Sequence, residues 1–84
     1  MSRASYLSSR ARNVALDMID SRFVLLNDGD SSATLHAETS MAIEMAHALG
    51  AIDIEEHRHY VARQDRIIER QHEELMQKLE SYRQ

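Results

Sequence analysis

From Ile54 to Arg83 the chain runs without a glycine or a proline and with few β-branched side chains. Nothing in the segment interrupts an α-helix. Asp53 with Glu56 three positions on forms a capping box that marks its start. At 1.5 Å per residue the predicted helix is about 45 Å long, whereas a compact domain of this chain length would be about 30 Å across. The helix must therefore outrun its own globule, and its far end needs a partner.

Within this helix Ile54, Val61, Ile68, Leu75 and Tyr82 recur every seven positions, the repeat that keeps one seam facing a partner helix. From Ile68 onward the spacing alternates four and three through His72, Leu75, Leu79 and Tyr82. These five residues, Ile68, His72, Leu75, Leu79 and Tyr82, are the expected dimer interface. Before Ile68 the apolar face is widened by Tyr60 and Ile67, which suits packing against two neighbouring helices.

The rest of the chain reads as two further helices. Over residues 3–26, Leu7, Ala11, Val14, Ala15, Met18, Ile19, Leu25 and Leu26 fall at helical intervals. Arg22 interrupts this stripe and Phe23 takes up the apolar face, so a bent or frayed last turn is expected. Asn27-Asp28-Gly29-Asp30 is a turn cluster, and Asp30, Ser31 or Ser32 can cap the next helix. Over 32–49, Leu35, Met41, Ala42, Met45, Ala46 and Leu49 share one side, with Ile43 off that face. Gly50 is the expected left-handed terminator, so Gly50–Asp53 reads as a tight antiparallel connection. The segment ALGAIDIEEHRHY resembles the helical hairpin of the bacterial short C-terminal domain called SHOCT, and the resemblance implies a hairpin and no activity. The expected fold is all-α: a three-helix up-down-up bundle, one domain over 1–84, with a long C-terminal helix extending into a dimer seam.

Composition narrows the function classes. The net charge is −4, from 10 basic and 14 acidic residues, a mixed field that disfavours nucleic acid as the main partner. There is no cysteine, hence no disulfide and no thiolate chemistry, which fits a reducing cytoplasm. The longest apolar run, Phe23–Leu26, is far too short to span a membrane. A glycine-rich phosphate loop and a Gly-x-Ser-x-Gly elbow are both missing, and the single lysine is Lys78, so no enzyme and no cofactor are expected. Ala46-x-x-x-Gly50 matches the turn spacing of a helix-turn-helix, but Glu56 and His59 stand where its reading helix would need apolar residues.

Glu44-x-x-His47, Glu56-x-x-His59 and Glu69-x-x-His72 match the spacing used by carboxylate-bridged di-metal bundles. Helix one offers only Asp17 and Asp20 to complete such a site, so these pairs read as solvated neighbours and no metal site is expected. His57 and His59, two apart, point to different faces. What remains is a homodimer that binds a further protein as a regulator, adaptor or inhibitor, of the kind mobile genetic elements encode. Arg58, His59, Arg63, Arg66 and Arg70 are its expected partner-binding face, with Tyr60 adjacent. A DNA-binding regulator is the alternative, and a metal-binding bundle built on the Glu-x-x-His pairs a further one.

Overall fold

A computed structural model describes residues 2–83, and the side chains of residues 9–83. Its elements are α1 (Ser2–Asn27), α2 (Ala33–Ala48) and α3 (Ile54–Arg83), with no strand among the described residues.

α1 is unbroken past Arg22. The guanidinium Nη1 of Arg22 donates to the Met18 carbonyl at 3.0 Å, so the side chain lies back along its own helix and does not bend it. The stop comes at Gly29, whose φ of 108° only glycine adopts readily. There the Gly29 and Asp30 amides donate to Leu26 and Leu25 at 3.2 Å each. Ser32 caps α2, accepting from the Leu35 amide at 3.2 Å. Asp30 accepts from the Ser32 amide at 2.9 Å, which holds its carboxyl below the usual range.

α2 ends in a left-handed Gly50 with φ 76°. The amides of Gly50 and Ala51 close onto His47 and Ala46 at 3.0 and 2.8 Å. At the start of α3, Glu56 donates its amide to Asp53 Oδ1 at 2.8 Å, and the Asp53 amide returns to Glu56 Oε1 at 3.1 Å. The capping box is formed as the sequence indicates.

Ile19, Phe23 and Leu26 of α1, Leu35, Ile43 and Ala46 of α2, Ala51 and Ile52 of the connection, and Ile67 of α3 make the core. Leu7, expected on the same face of α1, lies outside the residues whose side chains are described. On α2 the buried stripe is Leu35, Thr39, Ile43 and Ala46, so the expected face is corrected. Ile43 is inside, while Met41, Met45 and Leu49 face out. Thr39 makes this stripe possible because its Oγ1 donates to the Leu35 carbonyl at 2.7 Å, leaving no unmet hydroxyl in the core.

α3 turns the same way. Gln64 and Ile67 are its buried residues, whereas Ile54 and Ile68 of the heptad series are exposed. The Gln64 amide donates to the His36 carbonyl at 3.0 Å and accepts from Ser40 Oγ at 3.2 Å. The His36 ring accepts from Gln64 at Nδ1 (3.3 Å) and donates from Nε2 to Gln71 Oε1 (2.7 Å). This polar ladder ties α2 to α3 where an apolar pattern would lead one to look for leucines.

Contacts fix the level of α3 against α1. Arg12 meets Glu56, Phe23 stacks on Tyr60 with centroids 5.9 Å apart, and Gln71 Nε2 reaches the carbonyls of Leu26 and Asp30 at 3.5 and 3.2 Å. Past Gln71 every described residue of α3 is exposed. That overhang contributes to extents of 64 × 19 × 15 Å.

Candidate functional site

Among the described residues, two apolar surfaces are left uncovered. The first is a groove of about 730 Å³ between α1 and α2, lined from Arg10 to Arg22 on one side and from Ala37 to Leu49 on the other, with no α3 residue in it. Ala15, Ala42 and Ala46, buried or half-buried, form its floor, and the exposed Val14, Met18, Met41, Met45 and Leu49 its walls. Alanine lets two helices approach closely, and methionine walls adapt to what they meet. The wall residues are well exposed, Leu49 at 75%. The sequence assigned most of them to the core because their spacing is helical; the stripe beside them, with Thr39 in it, won the core instead.

Arg10, Arg22 and Glu38 border the groove. The Nε of Arg22 is buried without a hydrogen-bond partner, and the nearest carboxylate, Glu38 Oε2, stops at 4.0 Å. A charged donor left so is costly unless an acceptor arrives.

The overhang of α3 is the second surface. Leu75, Met76, Leu79 and Tyr82 are exposed there, Tyr82 at 87%, and Ile68 just before it at 43%. His72 is also exposed, and Glu73, Glu74 and Glu80 lie between the apolar positions.

The basic face of α3 divides. Arg58, His59 and Arg66 are exposed. Arg63 instead lies over the Phe23 ring, its Cζ 4.4 Å from the centroid. Arg70 sits 3.5 Å from Asn27 Oδ1 and 3.9 Å from Glu74. The His59 ring stands edge-on to Tyr60 at 5.8 Å. Burial, foremost, raises the Tyr60 hydroxyl pKa.

Polar groups concentrate at the α2–α3 turn. Arg12 donates through Nη1 and Nη2 to both oxygens of Glu56 at 2.8 and 2.7 Å. With the capping bond to Asp53, this pair brings the Glu56 carboxyl down to about 2 and raises the Arg12 pKa. One face further round, His57 Nε2 lies 3.0 Å from each oxygen of Glu44, and the His47 and His57 rings are 4.6 Å apart. Of the Glu-x-x-His pairs, only Glu44 and His47 thus join a larger group, and the third member, His57, comes from the other helix. Once the Gly50–Asp53 turn is folded, the first turn of α3 must face the last turn of α2; that register was the signal available in the sequence.

No protein-family model, curated protein or solved structure matches this chain. Among the described residues, no helix is long and apolar enough to cross a membrane.

Proposed function

We propose that the chain is a non-enzymatic association module that works as a homodimer: an up-down-up bundle whose C-terminal overhang seats in the α1/α2 groove of a second copy. The dimer then meets another protein as a regulator, adaptor or inhibitor. The observation that carries this reading is the pairing of two unpartnered apolar surfaces of equal length in one molecule. Arg10 to Arg22 along the groove, and Gln71 to Arg83 along the overhang, each rise about 18 Å.

A two-fold exchange covers both surfaces with one operation, since each copy lends its overhang and receives the other's. The charges are opposite in sign though small: Glu73, Glu74 and Glu80 outnumber Lys78 and Arg83 on the overhang, while Arg10 and Arg22 outnumber Glu38 at the groove. A glutamate arriving there would also supply the acceptor that Arg22 Nε lacks. Leu75, Leu79 and Tyr82 keep the interface role read from the heptads, but against a groove and not against their own counterparts. Arg58, His59 and Arg66 remain outside this interface, available to a further partner.

Sedimentation velocity tests it. The wild type should run as a dimer, and both Leu75→Glu with Leu79→Glu and Met18→Glu with Met45→Glu should run as monomers, each buried leucine contributing roughly 1.5–3 kcal/mol. A groove variant that stays dimeric while the overhang variant falls apart would place the seam between two overhangs. A monomeric wild type at high concentration would end the reading.

A further inference from the structure

We infer that Glu44, His47 and His57 form a binding site for one zinc ion per chain, built across the α2–α3 turn and independent of the dimer proposed above. One ligand atom from each residue lies within 4.8 Å of the other two. One of the three separations is already short, with His57 Nε2 3.0 Å from either Glu44 oxygen. Zinc bonds of about 2.0–2.1 Å in tetrahedral geometry place ligand atoms about 3.3 Å apart. Binding would draw the three ligand atoms together by side-chain rotation.

The donor set selects the class of ion. Two imidazoles and one carboxylate suit zinc and its transition-metal neighbours, whereas magnesium and calcium take oxygen ligands. Three protein ligands leave a fourth position for water. The scaffold is suited to holding them. Glu44 and His47 sit three apart on α2, hence on one face, and His57 is in the first turn of α3. The turn between them is held by the Asp53–Glu56 capping bonds and the Arg12–Glu56 pair. The Glu44–His57 contact occupies the same space, so an ion would replace a hydrogen bond between groups that already converge. A bound ion would therefore pin α2 to α3.

The test is calorimetric titration of zinc into untagged, chelator-washed protein, with magnesium as the control. One zinc per chain should bind, and His47→Gln or His57→Gln should each weaken binding by at least about tenfold. Helicity of both variants, checked by circular dichroism, should be unchanged, since both side chains are half-buried and neither belongs to the core. His59→Gln and His72→Gln should bind as the wild type does. A zinc-dependent rise in melting temperature, present in the wild type and lost in the His57 variant, gives a second readout. No saturable uptake at about 100 μM zinc, or uptake that survives His57→Gln, would overturn the site.

Discussion

Phe23→Ala probes the point where the three helices depend on one another most. Phe23 is 1% exposed, stacks on Tyr60 at 5.9 Å with an interplanar angle of 24°, and carries the Arg63 guanidinium at 4.4 Å. Truncating a buried phenylalanine costs about 3–5 kcal/mol. Loss of the aromatic pair, worth about 0.5–1.5 kcal/mol, and of the cation–π contact, about 0.5–1 kcal/mol, puts this site in the upper half of that range. A chain of this length has a total stability of about 4–13 kcal/mol, so the substitution removes a large share of it. At about 4–8 °C per kcal/mol the melting temperature should fall by at least about 16 °C. Urea unfolding followed by circular dichroism, at one fixed protein concentration because the proposed association would add stability, measures the loss. Val24→Ala, next in sequence but 57% exposed, is the control and should stay within about 0.5 kcal/mol of the parent. If the two variants lie within about 1 kcal/mol of each other, the core assignment of α1 is wrong.

Ile43→Ala should cost about 2–5 kcal/mol, while Met45→Ala should leave the unfolding of the monomeric overhang variant within about 0.5 kcal/mol; the reverse order in urea would restore the face read from the sequence. Gly50→Ala adds a Cβ that meets nothing within 4 Å but holds it at φ 76°. The expected loss is about 1–2 kcal/mol, all conformational, and no measurable change would mean the turn relaxes. Glu56 gives a pH signature: its carboxyl is brought from an ordinary 4.5 to about 2 in the fold, so its contribution is present above 4.5 and lost as pH falls from there toward 2. Glu56→Gln should abolish that part of the acid limb in unfolding experiments across the same window, and parallel curves for the two proteins would refute the Arg12 clamp.

What could be read in advance was local. The two helix stops, the left-handed Gly50 and the Asp53–Glu56 box depend on residues within a few positions of each other, and all are formed as their chemistry requires. The choice of which face to bury was less legible. On α2 the expected side carried Met41 and Met45 and no threonine, yet Thr39 and Ile43 are buried, because Thr39 meets its own hydrogen-bonding need within the helix. On α3 the widened face through Tyr60, Val61 and Ile67 packs on the bundle as read, but the heptad series led on to Ile68, which is exposed, and missed Gln64, which is buried; a glutamine that satisfies His36 and Ser40 carries no apolar signal. The groove follows from both shifts. The joining of His57 to Glu44 and His47 could not come from spacing within one helix, since it exists only after α3 folds back on α2.

The exchange of overhangs is tested most directly by mixing two broken chains. One carries Leu75→Glu and Leu79→Glu and keeps its groove; the other carries Met18→Glu and Met45→Glu and keeps its overhang. Each should be monomeric alone, and a mixture should recover a heterodimer with one intact overhang-in-groove contact, seen in sedimentation as a species of two-chain mass. A mixture that stays monomeric, beside a dimeric wild type, would contradict the account, as would a groove variant that dimerises without help.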